Sequence, residues 1–97
     1  MTNLSFSEKC QRHLEFTEAL MGKRLMKHVI RKASVMDREF CGAQCFMEHN
    51  CVSYNLKTTS QAGKHKCELN NATHKEREED LKENRNYEYN GAKVSVS

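Results

Sequence analysis

Cysteine is the residue type with the widest scope for chemistry in this chain of 97 residues, because its thiol can ligate a metal or oxidise to a disulfide. Five cysteines are present. Four of them lie in the stretch 40–71, at Cys41, Cys45, Cys51 and Cys67. The choice between zinc and disulfides decides the compartment in which the protein works, since disulfides persist in oxidising environments and are rare in the cytosol.

The spacing of these four cysteines favours disulfides. Zinc-binding pairs are commonly separated by two residues, whereas the gaps here are three, five and fifteen residues. His49 and His65 offer additional nitrogen ligands, so an intracellular zinc-binding domain stays as an alternative. A helix and a strand that crosses it approach within the Cα separation that a disulfide requires. We therefore expect disulfides and no metal.

The first two of these cysteines are predicted to lie on a helix. Ser34 or Asp37 can cap its start, and it runs to about His49. Cys41 and Cys45 are then one turn apart on the same face. We expect a largely apolar stripe to overlap this cysteine face, formed by Phe40, Ala43, Gln44 and Met47.

The other two cysteines belong to predicted strands. The runs 51–56 and 66–71 alternate with a period of two, as half-buried strands do. In the first run Val52, Tyr54 and Leu56 share one side. The polar connection between the two runs is long enough for an ordinary loop.

Four cysteines allow three pairings. A bond between Cys41 and Cys45 would join neighbours on one helical turn and add little stability. The other two pairings join the helix to both strands, and spacing alone leaves both open. We predict Cys45 with Cys51 and Cys41 with Cys67. The longer loop would contribute about 3 kcal/mol by the chain-entropy argument.

These residues resemble the PAN/apple domain family. The resemblance rests on the CxxxC of the helix, on CVSYNL at 51–56 and on CELN at 67–70, followed by a charge-rich connection and a late pair of tyrosines. It covers about 6–90. It implies the same two nested bridges, and a small α+β fold in which an antiparallel sheet carries one central helix packed across it, stapled by two disulfides.

One cysteine departs from the family pattern. Apple repeats carry a third bridge between their terminal strands, and Cys10 stands where its first half would be. No cysteine follows Cys67, so no second half is present. We therefore expect Cys10 to be unpaired within this chain.

Composition predicts one small domain, residues 1–97, with an ordered core of about 6–90 and tails at both ends. Leu, Ile, Val and Phe make up only 17 of the 97 residues, so the core is marginal without staples. A mean hydropathy of −0.87 leaves no candidate for membrane insertion. The start, MTNLSFSEKC, lacks the apolar segment of a secretory signal, so secretion requires that this sequence be part of a longer chain.

The segment Lys9–Ala33 fits two structures. Its apolar residues also match a helical stripe. The resemblance instead implies strands near Cys10–Phe16 and Leu25–Ala33, with a turn at Met21 and Gly22. We adopt the strands.

The ten residues 23–32 include six basic residues and no acidic one: Lys23, Arg24, Lys27, His28, Arg31 and Lys32. The plainer interpretation is an edge strand that its cations keep from pairing with other chains. The sharper one is a site for an anionic ligand such as a glycosaminoglycan. Nucleic acid is not expected, because the chain has no Trp and no aromatic residues interleaved with the cations.

The remaining patterns are weaker. Asn3 and Asn71 open acceptor patterns for N-glycosylation. The charged run 74–85 predicts an exposed connection or a short solvated helix. Tyr87 and Tyr89 alternate as in a final strand, and residues 91–97 are expected to be a tail.

No motif of a nucleophile, a metal protease or a phosphate-binding loop is present, so we expect no catalysis and no cofactor. The resemblance implies an extracellular recognition module that binds protein, or mediates adhesion, within a larger secreted or surface protein. The alternative partner is a carbohydrate, either a glycosaminoglycan or a galactose-type sugar.

Overall fold

Five antiparallel strands form one sheet in the computed structural model, which describes residues 12–96. Their order across the sheet is β1-β5-β3-β4-β2. In chain order the elements are β1 (Arg12–Leu25), β2 (Val29–Val35), α1 (Arg38–Met47), β3 (Ser53–Lys57), β4 (His65–Asn70), a 3-10 helix (Glu78–Asp80) and β5 (Leu81–Val96). The predicted class, an antiparallel sheet with one helix and two disulfides, is confirmed.

The first strand is longer than the sequence predicted. It continues past Gly22, where we placed a turn, and ends at Leu25. Gly22 adopts a positive φ of 74° beside a register shift in the pairing with β5, so it forms an irregularity within the strand. The chain reverses only around Lys27, whose φ is 76°. The helical alternative for this segment is wrong because pairing with β5 determines its structure.

The helix begins where its capping residue predicts. The Asp37 carboxylate accepts a hydrogen bond from the Phe40 amide at 3.1 Å, and the helix runs to Met47. Ser34, the other candidate cap, lies in β2. The helix is therefore two residues shorter than predicted.

The two sides of the sheet differ in composition. On the side facing α1, here called the helix face, buried apolar side chains and cysteines form the core, which includes Tyr54, Leu56, Cys67 and Leu69. Alternation along β3 and β4 sends the intervening side chains to the opposite side, the back face. These are Ser53, Asn55, Glu68 and Asn70, and all four are completely buried.

The C-terminal strand also exceeds its prediction. It starts at Leu81, inside the run predicted to be a connection, and continues to Val96, so that residues 91–96 pair with β1 and do not form a tail. Tyr87 and Tyr89 are both buried in it. Before β5, residues 71–80 cross the back face, where the Tyr89 hydroxyl accepts a hydrogen bond from the His74 amide at 2.8 Å.

Candidate binding surfaces

Two disulfides join α1 to the sheet. Cys41 is bonded to Cys67 in β4, and Cys45 to Cys51 just before β3, with Cα separations of 5.7 and 5.2 Å. Both predicted bridges are confirmed. These four sulfurs are oxidised and hence not free to ligate zinc, which removes the zinc alternative built on them. No group of three or more potential metal ligands occurs within residues 12–96.

The apolar stripe of the helix faces solvent, opposite to its predicted direction. Phe40 is 53% exposed and Met47 is 74% exposed, and Ala43 between them is exposed as well. The two cysteines determine this orientation. At about 100° per residue, Ala43 and Met47 lie on the side of the helix opposite Cys41 and Cys45. We call Phe40, Ala43 and Met47 the outer helix face.

An apolar groove lies beside this helix. It has a volume of about 400 Å³ and is lined by Leu14, Phe16, Gly42, Phe46 and Tyr54, with Arg38 and Glu39. The Phe16 and Tyr54 rings meet edge to face, with centroids 4.9 Å apart. A Cβ on Gly42 would meet the Phe16 ring at 3.5 Å, an ordinary contact, so glycine leaves room in the groove without being required for packing.

An ion pair joins the start of α1 to β5. Arg38 donates to both oxygens of Glu88, at 2.6 and 3.0 Å. Burial alone would raise the pKa of Glu88, but the hydrogen bonds from Arg38 and Asn90 outweigh burial and lower the pKa below its usual value. Burial also raises the pKa of the Tyr54 hydroxyl. Both shifts lead away from neutral pH, so neither group is tuned for proton transfer there.

The predicted basic run is not gathered into one anion site. Of its six members, five are within ion-pair distance of a carboxylate in the described structure. These pairs are Lys23 with Glu83, Arg24 with Glu68, Lys27 and His28 with Asp80, and Arg31 with Glu48. The sixth, Lys32, is exposed on β2. Most of this charge is therefore compensated within the protein.

Arg24 shows how far this compensation goes. Its guanidinium donates to both oxygens of the buried Glu68, at 3.0 and 2.6 Å, and lies 4.2 Å from the centre of the Tyr87 ring. The Asn55 side chain joins the same carboxylate at 3.1 Å. Arg24 is thus part of the back-face structure, a role that its neighbours in sequence do not indicate.

Three further predicted residues have separate outcomes. Asn71 is exposed directly after β4, which is compatible with glycosylation. Asn3 and Cys10 lie outside the described residues. No helix within residues 12–96 is long and apolar enough to cross a membrane.

A comparison with protein families supports the resemblance seen in the sequence. The model of the PAN domain matches residues 16–92, which include every helix and disulfide described above. Searches of curated proteins and of solved structures gave no match.

Proposed function

The chain belongs to the PAN domain family, and we propose that it is an extracellular, non-catalytic module that binds a protein partner through the outer helix face. PAN domains are in general interaction modules of larger proteins and bind proteins or carbohydrates. The outer helix face is the observation that carries the choice of a protein partner.

Exposed apolar side chains on this helix support that choice. A surface helix normally presents charged or polar residues to water, yet Phe40 and Met47 point outward, 53% and 74% exposed. Burying what remains exposed of each would contribute about 1 to 2 kcal/mol to binding. Apolar patches of this kind mark sites of protein interaction.

The helix is also held firmly. Two disulfides attach it to the sheet, and Arg38 pairs with Glu88 at its first turn. An element whose backbone is already fixed loses little backbone conformational entropy on binding. The groove lined by Phe16 and Tyr54 continues the apolar surface along one side of the helix.

The disulfides favour an extracellular setting. Disulfides in a small domain persist where the surroundings are oxidising. An extracellular partner is accordingly expected, and the proposal places this domain within a secreted or surface protein.

The test is a screen against an array of secreted proteins and ectodomains, with three forms of the domain. One is unmodified, one carries Phe40→Gln with Met47→Gln, and a matched control carries Met21→Thr with Ile30→Thr, which removes two exposed apolar residues elsewhere. Circular dichroism and thermal unfolding verify that all three fold alike. We expect at least one partner to bind the unmodified and control forms and to lose about tenfold affinity or more for the helix variant.

Two results would contradict the proposal. If every partner binds all three forms equally, the outer helix face is not the binding site. If the domain binds no protein on the array but binds a glycan array, it is a carbohydrate-binding PAN domain.

A further inference from the structure

A signal for covalent modification lies directly after β4. Asn71, Ala72 and Thr73 match the acceptor pattern for N-glycosylation. The pattern by itself is weak, but the structure adds a location for it. Asn71 is exposed, whereas the residues on either side of it, Asn70 and Ala72, are buried. Of these three neighbours, only Asn71 therefore has room for an attached sugar in the folded domain.

The backbone around Asn71 is fixed on both sides. The Asn71 amide donates to the His28 carbonyl at 3.0 Å. The Ala72 carbonyl accepts from the Ser53 hydroxyl at 2.6 Å. The Thr73 carbonyl then closes a turn by accepting from two later amides, at 3.1 and 3.0 Å. The attachment point consequently has a defined position relative to the sheet.

A polar groove begins at this attachment point. It has a volume of about 550 Å³ and is lined by His28, Asn71, Ala72, Glu76 and Arg77. A groove of this size can hold a small molecule. Its imidazole, carboxylate and guanidinium groups supply hydrogen-bond donors and acceptors for the hydroxyl and acetamido groups of a sugar.

The groove is separate from the proposed protein-binding surface. It shares none of its described lining residues with the apolar groove beside α1 or with the outer helix face. A sugar at Asn71 and a protein partner on the outer helix face would thus contact different residues.

We propose that Asn71 carries an N-linked glycan and that the first sugar of this glycan, an N-acetylglucosamine, lies in the polar groove. In the transfer, the Asn71 side-chain nitrogen bonds to C1 of the sugar of a lipid-linked oligosaccharide. The bond from C1 to the lipid pyrophosphate breaks, the pyrophosphate leaves with the electron pair, and the nitrogen loses one proton. The inference rests on the extracellular setting of the proposed function, because the donor and its transferase belong to the secretory pathway.

The first test measures whether Asn71 is modified. The chain is produced behind a secretion signal in animal cells that make only oligomannose glycans, and mass mapping of its peptides separates Asn71 from Asn3. We expect a glycan on Asn71 in the unmodified chain and in Thr73→Ser, which keeps the acceptor hydroxyl. We expect none in Thr73→Ala, which differs from Thr73→Ser by that hydroxyl. Thermal unfolding verifies that all forms fold alike.

Two results would contradict the modification. A folded, secreted chain with unmodified Asn71 would overturn this inference and leave the proposed protein partner untouched, because the protein-array screen does not depend on the glycan. A chain that the cells do not release in folded form would contradict the extracellular setting and this inference together.

The second test measures whether the first sugar lies in the groove. In an Asn3→Gln chain, endoglycosidase H trims the glycan at Asn71 to one N-acetylglucosamine, and thermal unfolding compares this form with Asn71→Gln. We expect the trimmed form to unfold about 4 °C higher, the effect of about one net hydrogen bond in a domain of this size. Arg77→Ala should remove most of this difference, while Arg85→Ala, at an exposed arginine outside the groove, should leave it unchanged. A difference that is absent, or that Arg77→Ala does not reduce, would overturn the placement of the sugar.

Discussion

The helix face and the back face of the sheet are both buried, but different interactions hold them. On the helix face, two disulfides and an apolar cluster around Tyr54 and Leu69 fasten α1 to the strands. On the back face, Glu68 and Asn55 are completely buried and make hydrogen bonds to other parts of the chain. The chain has few apolar residues, and polar side chains thus fill much of the buried back face, where apolar residues would be usual.

The back-face network explains the polar residues of the strand motif. Asn55 accepts from the Leu25 amide and donates to the Leu25 carbonyl, both at 2.9 Å, so its side chain fastens the end of β1. Ser53 donates to the Ala72 carbonyl at 2.6 Å and thereby holds the connection that crosses the back face. Each buried polar group is stabilising here only while its partner is present.

The largest loss of stability is expected from removing the disulfides on the helix face. Cys41→Ala with Cys67→Ala opens a loop with a sequence separation of 26 and should lower the free energy of unfolding by about 3.5 kcal/mol. Cys45→Ala with Cys51→Ala opens one of 6 and should cost about 2 kcal/mol. Urea unfolding measures both. Equal losses would mean that local packing, and not the length of the closed loop, determines what each bridge contributes.

A smaller loss is expected from the back face. Glu68→Gln leaves the Arg24 guanidinium without its carboxylate, and only 23% of the Arg24 side chain is exposed to water. Removing one partner of a buried ion pair is strongly destabilising, and partial access to water reduces the cost to about 2 to 3 kcal/mol. The control is Glu83→Gln, which breaks the pair with Lys23 at a side chain 88% exposed and should change stability by less than about 1 kcal/mol. Similar values for both variants would show that the back face does not depend on this pair.

The comparison of the two faces also shows what the sequence could predict. The helix, Asp37 as one of its two candidate caps, the two bridges and the strands β3 and β4 were all predicted. Each depends on spacing within a short stretch, or on a motif that resembles the family. Local spacing and the resemblance together therefore predicted the elements and bridges between 37 and 70, although not the direction in which the apolar stripe of the helix faces.

The terminal strands were predicted less well for a physical reason. β1 pairs with β5, so residues that are far apart in the sequence, such as Leu14 and Val94, lie opposite each other in the sheet. Neither strand has a strong pattern of its own, and each is stabilised mainly by the other. The strand implied by the resemblance consequently ended near Phe16, and the local pattern predicted residues 91–97 to be a tail.

The sequence did not predict the candidate surfaces, for two further reasons. The stripe at Phe40 and Met47 was assigned to the core because apolar residues usually are. The signal that opposed this was present, since Cys41 and Cys45 already occupied the inward side. The compensation of the basic run had no such signal. Whether a cation is compensated depends on carboxylates that are distant in sequence, as the pairing of Arg24 with Glu68 shows.

The smallest effect is expected for the ion pair of Arg38 with Glu88 on the helix face, and its size should depend on pH. The pKa of Glu88 on the helix face is lowered in the folded state, so the contribution of this group to stability is present above about pH 5 and is lost as the pH falls through the lowered value. The pKa of Asp80 is lowered as well, chiefly by its hydrogen bond with His28. Unfolding free energies of the unmodified domain and of Glu88→Gln should therefore differ most above about pH 5 and converge in more acidic solution. The difference should stay smaller than that of Glu68→Gln, because the Arg38 side chain is 55% exposed and regains water when its partner is removed. A difference that does not change with pH would mean that Glu88 acts through packing.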